Sequence, residues 1–105
     1  MSSPHRPPVT QSASVDAAGN ASVSFYTRGS GVWRWQQFGI NMPGGGSIVG
    51  QMYFNGSPVS PFYNPDTIAG EPPLDAGPGD EVRFVVSGAT PGAVLTIAGF
   101  YQPLA

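Results

Sequence analysis

The stretch Pro78-Gly79-Asp80-Glu81-Val82-Arg83-Phe84-Val85-Val86-Ser87-Gly88-Ala89-Thr90-Pro91-Gly92-Ala93-Val94-Leu95-Thr96-Ile97-Ala98-Gly99 decides the fold class. Val82, Phe84 and Val86 recur at a period of two, with Arg83 and Ser87 on the other phase, and Leu95 and Ile97 alternate with Thr96 and Ala98. Successive side chains of a strand point to opposite faces, so both runs read as half-buried β-strands. Pro91-Gly92 between them predicts a turn, and the pair reads as a hairpin. The class is all-β.

Upstream, Ser47 to Phe54 reads as a strand with Ile48, Gly50, Met52 and Phe54 on one face, closed by Asn55-Gly56, the strongest short turn signal in the chain. Before it, Trp33 and Trp35 share one phase of the alternation, whereas Phe38, Ile40 and Met42 share the other. A β-bulge near Gln36-Gln37 inserts one residue and turns both sets inward. Pro43-Gly44-Gly45-Gly46 ends that strand; it has no lysine and leads into a strand instead of a helix, so it is a turn and not a phosphate loop. Nearer the start, Gln11 to Ala17 and Ala21 to Tyr26 flank Ala18-Gly19-Asn20 and read as a second hairpin, with Val23 and Phe25 inward. Ser57 to Gly79 carries six prolines and reads as an irregular connection with one short strand near Thr67 to Ala69. Residues 1–10 form an extended, proline-rich arm, and 11–105 form one antiparallel β-sandwich or jelly-roll-like domain of six to eight strands.

Composition narrows the function. Fifteen glycines and 12 prolines punctuate strands, and no stretch of ten residues carries a helical period free of both, so almost no helix is expected. The chain has four arginines, no lysine and six carboxylates, for a formal charge of −2, which lacks the footprint of a nucleic-acid binder. No run approaches the apolar length of a membrane-spanning helix, and the first residues lack the apolar core of a secretory leader. The sequence predicts neither nucleic acid nor membrane as a partner. A charge content of 10% leaves little repulsion between copies, and the small core of a 105-residue chain predicts that self-association adds to stability.

No catalytic, cofactor or metal residues are assigned. Cysteine is absent, which removes disulfides and thiolate metal sites, and His5 is the sole imidazole, set in the arm without an acid beside it. Hydrolase triads need a base on a rigid scaffold, so an enzyme is not expected. Glu71, Asp75, Asp80 and Glu81 cluster in sequence, but their spacing matches no calcium loop; Asp80 and Glu81 read as residues flanking the Pro78-Gly79 turn. The aromatics Trp33, Trp35, Tyr53, Phe54, Phe62, Tyr63 and Tyr101 serve core and interface, or a sugar-stacking platform. Only the Phe62-Tyr63-Asn64-Pro65-Asp66 segment has the local composition of such a platform, so Phe62, Tyr63 and Asp66 are the candidate surface-binding loop.

The succession of Tyr53-Phe54-Asn55-Gly56, Gly79-Asp80, a valine-rich strand, Ser87-Gly88-Ala89-Thr90-Pro91-Gly92-Ala93 and Leu95-Thr96-Ile97-Ala98-Gly99 resembles small structural proteins of tailed bacteriophages that infect actinobacteria. The likeness runs from about Gln11 to Phe100 and departs at Arg83-Phe84-Val85-Val86, where a tryptophan is expected. It implies a non-enzymatic β-sandwich made in the host cytoplasm and carried on the virion, as a head decoration or minor capsid component on the capsid exterior. The implied partners are the major capsid protein and further copies of the chain, a homo-oligomer for which a trimer is one arrangement. Under that reading Pro4, His5, Arg6, Pro7 and Pro8 of the arm contact capsid or a neighbouring subunit. The alternative is a tail or fibre adhesion module binding host glycan; a cellular sugar-binding domain is a third class.

Overall fold

The computed structural model describes residues 9–28 and 30–104, with the side chains of 69–73 left aside. Eight strands follow one another: β1 (Val9–Ser14), β2 (Ala21–Tyr26), β3 (Val32–Asn41), β4 (Val49–Phe54), β5 (Ser57–Phe62), β6 (Asp66–Ala76), β7 (Glu81–Ser87) and β8 (Val94–Leu104). They form two four-stranded antiparallel sheets, in the orders β1-β8-β3-β6 and β2-β7-β4-β5. The ladders pair β4 with β5, β3 with β6, β2 with β7 and β1 with β8. The chain is therefore one long antiparallel ribbon whose tip is Asn55-Gly56. Rolling it up closes two further ladders, β3 with β8 and β4 with β7. This is the eight-stranded jelly roll.

The tip has the backbone that its residues favour, with φ of 49° at Asn55 and 86° at Gly56, matching the twist of the flanking strands. Along β3 the register shifts between Trp35 and Gln37, so the expected bulge is present and Trp35, Phe38, Ile40 and Met42 are all buried. The core is an aromatic cluster bridging the sheets. Phe38 of one sheet meets Phe84 of the other at 4.8 Å, Phe25 lies edge-on to Trp35 at 5.5 Å, and Phe62 lies edge-on to Phe84 at 5.7 Å. Such inclined contacts add about 0.5–1.5 kcal/mol per pair beyond burial.

Three expectations need correction. The runs around Pro91-Gly92 do not form a hairpin, because β7 and β8 lie in opposite sheets, and the same holds for β1 and β2. A hairpin and a crossing between facing sheets bury the same alternating residues, so periodicity cannot separate them. The two crossings instead bond to each other: Val15 N–H donates to Ala93 O (2.8 Å), Gly92 N–H to Val15 O (3.0 Å) and Ala89 N–H to Gly19 O (3.1 Å). Gly19 suits this corner for two reasons: its φ is +86°, and a Cβ there would stand 2.9 Å from Ala89 O.

The second correction concerns Ser57 to Gly79, which holds β5 and all of β6 instead of an irregular loop. Its prolines are tolerated since β5 and β6 are the outer strands of their sheets, where a missing N–H leaves no ladder bond broken on the open side. Third, β1 begins at Val9, paired with Gly99, so Val9 and Thr10 belong to the sandwich and not to the arm. The remaining arm residues, Pro4, His5, Arg6, Pro7 and Pro8 among them, lie outside the described residues.

Candidate functional site

The outward side of the β2-β7-β4 sheet gathers the polar and aromatic side chains that the inward alternation leaves over. Register places Ser24, Arg83 and Tyr53 in one row across the three strands and Tyr26 opposite Glu81 in the next. Glu81 is the hub. Its Oε2 accepts from Ser24 Oγ (2.8 Å), Tyr26 OH (3.0 Å), Arg83 Nη2 (3.0 Å) and Arg83 Nε (3.2 Å). The glutamate backbone is held just as firmly: its N–H donates to Asn55 Oδ1 (2.9 Å) and its carbonyl accepts from Asn55 N–H (2.9 Å). The turn at the ribbon's tip thus fixes the residue at the centre of this face.

The Glu81 side chain is 17% exposed and that of Arg83 51%. The Ser24 hydroxyl, and after it Tyr26 and Arg83, hold the Glu81 carboxyl below its ordinary value of 4.5, against the opposing effect of burial. The carboxylate is consequently ionised at neutral pH and cancels the charge of Arg83. Beside the pair lies a depression of about 280 Å³ lined by Tyr53, Gly56, Glu81, Arg83 and Val85. Tyr26, 53% exposed, stands at the other side of the glutamate and also lines a second depression of about 320 Å³ with Phe25, Arg28, Trp33 and the start of β1.

The expected surface loop is not assembled as a platform. Phe62 is 0% exposed and belongs to the core, so it offers no ring to a ligand. Tyr63 is 62% exposed. Asp66 is committed to its own turn, with Oδ2 accepting from Tyr63 N–H (3.2 Å) and Oδ1 from Thr67 N–H (2.8 Å). Asn64 holds the corner below: its Oδ1 accepts from Met42 N–H (2.9 Å) and its Nδ2 donates to Met42 O (2.8 Å), a side-chain copy of a ladder pair.

The other carboxylates go to separate partners. Asp75 binds Arg34 (2.8 Å), which lowers its pKa through that hydrogen bond, and Asp80 accepts from Gly77 N–H (2.8 Å) and Asn55 Nδ2 (3.0 Å). The Glu71 side chain lies outside the described set. Among the described residues no three His, Cys, Asp or Glu side chains come together as a metal site. No protein-family model, curated protein or solved structure matches this chain.

Sequence reading missed the Tyr26-Glu81-Arg83-Tyr53 cluster because its members come from three strands separated by up to 57 residues. The legible signal was the outward phase of each strand, Ser24 and Tyr26, Glu81 and Arg83, Gln51 and Tyr53. Only the strand order turns those phases into one surface.

Proposed function

We propose that this protein is a non-enzymatic structural subunit of a virion, decorating and stabilising the capsid exterior in many copies against the major capsid protein. The observation that supports it is the outward side of the β1-β8-β3 sheet. Ser12, Thr96 and Asn41 form one row there, and Thr10, Ala98 and Gly39 the next. None carries a charge; at the margin Asp66 of β6 lines a depression with Gly39 and Asn41, and Arg34 pairs with Asp75 toward the far end of β3. Small neutral side chains lose little rotamer entropy and little hydration when covered. Two copies of this chain, each with a formal charge of −2, meet through such a face without setting like charges against each other. The occupant of the face is a second copy of the chain, and the jelly roll supplies the rigid plate that bears it. A shared architecture does not carry function with it, so the proposal stands on this face and on the resemblance of the sequence, not on the fold.

The test has two parts. Purified particles should carry the chain at the density-gradient position of intact virions, with an antibody to it labelling their heads; absence from the particles overturns the proposal. In solution the full chain should sediment as an oligomer and Thr96→Lys as a monomer, whereas a monomeric wild-type chain, or an unchanged variant, overturns the assignment of the face. A second reading, a tail or fibre adhesion module that binds host glycan, is favoured by one observation, the depression beside Tyr53, Glu81 and Arg83.

A further inference from the structure

We infer that the depression lined by Tyr53, Gly56, Glu81, Arg83 and Val85 is a binding site for one ring of a neutral hexose, with the Glu81–Arg83 pair reading two adjacent hydroxyls. The inference names the ligand and the residues of the adhesion reading and rests on that reading only for where the sugar comes from.

Three features carry it. First, donor and acceptor stand side by side with capacity left over. All four hydrogen bonds to Glu81 enter Oε2, and Arg83 spends Nε and Nη2 on them. Oε1 of Glu81 and Nη1 of Arg83 take part in no hydrogen bond among the described residues. A hydroxyl both donates and accepts, so one hydroxyl of a vicinal pair donates to Oε1 while its neighbour accepts from Nη1. Second, the pair is neutral as a unit, which favours a neutral polyol over a phosphate or carboxylate, since an anion gains from Arg83 what it loses to Glu81. Third, the walls suit a sugar's apolar face. Tyr53 and Val85 line the depression, and the turn contributes Gly56, where a Cβ would have open space before it. A volume of about 280 Å³ accommodates a single pyranose and not an extended chain.

The site is ordered before any ligand arrives. Ser24, Tyr26 and Arg83 fix the carboxylate, and Asn55 fixes its backbone, so little conformational entropy remains to be lost on binding. This arrangement also explains why the face opposite the proposed contact surface carries a concentrated cluster of charge and phenol groups. A subunit attached through the β1-β8-β3 side presents the β2-β7-β4 side to its surroundings.

The test is amide NMR on the full chain titrated separately with methyl β-D-glucopyranoside, methyl β-D-galactopyranoside and methyl α-D-mannopyranoside, with inorganic phosphate as the comparison. At least one glycoside should give saturable, millimolar shifts at Tyr53, Gly56, Glu81 and Arg83, and phosphate should not. Arg83→Ala should abolish them, and Tyr53→Ala should weaken binding about tenfold, the dispersion of the spectrum showing that both variants remain folded. No saturable shift with any glycoside overturns the site, as do equal shifts with phosphate or shifts confined to Tyr63 and Asp66. Adsorption of particles carrying Arg83→Ala separates the two ideas: binding in the tube with normal adsorption keeps the sugar site and removes the adhesion role.

Discussion

Phe62→Ala should be among the most damaging single truncations in the chain, and the structure says why a neighbour one position away should not matter. Phe62 is fully buried, stands edge-on to Phe84 at 5.7 Å, and pairs across the ladder with Gly50. The ring occupies the space where Gly50 lacks a side chain: a Cβ built on Gly50 falls 2.5–2.6 Å from three of its atoms. Loss of a buried phenylalanine costs about 3–5 kcal/mol, transfer and cavity together. In a domain of this size that lowers the melting temperature by roughly 12–40 °C, at about 4–8 °C per kcal/mol. Gly50→Ala alone should cost about 1–3 kcal/mol by overpacking the same ring. In the Phe62→Ala background the clash is gone, so adding Gly50→Ala should be neutral or mildly stabilising, with a coupling energy of about 1–3 kcal/mol. Tyr63→Ala, on an exposed side chain, should stay within about 0.5 kcal/mol of the parent. Urea unfolding followed by the fluorescence of buried Trp35 measures all four proteins. Additive costs for Gly50→Ala and Phe62→Ala, or a Phe62→Ala protein as stable as Tyr63→Ala, would refute the packing described here.

Neighbouring glycines on opposite sides of one sheet offer a second comparison. Gly99→Ala drives a Cβ to 2.6 Å from Trp35 and 2.9 Å from Phe38 and should cost about 1–3 kcal/mol, whereas Gly39→Ala meets nothing within 4 Å and should be neutral or stabilising; thermal melts at low protein concentration decide. Stability should also fall in acid through Glu81. Its folded pKa lies below the ordinary 4.5, so the unfolded chain takes up the proton first; the contribution is complete above 4.5 and is lost as pH falls through the folded value. Glu81→Gln should flatten that part of the acid limb in urea titrations, and an unchanged slope would contradict the hub geometry. At the Met42 corner, Asn64→Asp removes the Nδ2 donor and sets a carboxylate against Met42 O, which should cost about 1–3 kcal/mol by chemical denaturation, while Asn41→Asp on the exposed neighbour should change little in the monomer at low protein concentration.

How far the sequence could be read is set by which physical signals are local. Alternation is local, so the inward faces of Val82-Phe84-Val86, Leu95-Ile97 and Val23-Phe25 were legible. The bulge at Gln36 was legible because the change of phase between Trp35 and Phe38 lies inside one run. Pairing is not local. Val86 and Leu95 are buried whether their strands lie side by side or face to face, so the Pro91-Gly92 segment reads equally as a hairpin turn or as a corner between sheets. Proline misled for a related reason. It excludes a residue from a two-sided ladder but not from an outer strand, and nothing within Ser57 to Gly79 states that β5 and β6 lie at sheet edges. Phe62 looked like a surface ring because its sequence neighbours are polar, whereas its burial depends on Gly50 and Phe84, contributed by other strands.

The ribbon description joins the two functional faces to one feature of the sequence. Asn55-Gly56 is the point from which both arms of the ribbon run back, and each of the four ribbon ladders is centred on it. The same turn bonds to the backbone of Glu81 and to the side chain of Asp80. It therefore sets the register of β7 against β4 while placing the glutamate that organises the β2-β7-β4 surface. On the other sheet, β1 and β8 are the two ends of the ribbon, with β8 paired to β3 and β1 to β8. The charged, aromatic surface is built around the ribbon's tip and the neutral one around its ends. A substitution that slips the tip by one residue should therefore exchange inward and outward residues along β4 and remove the Glu81 cluster with the core, whereas changes on the outward side of β1 or β8 can alter assembly while leaving that cluster in place.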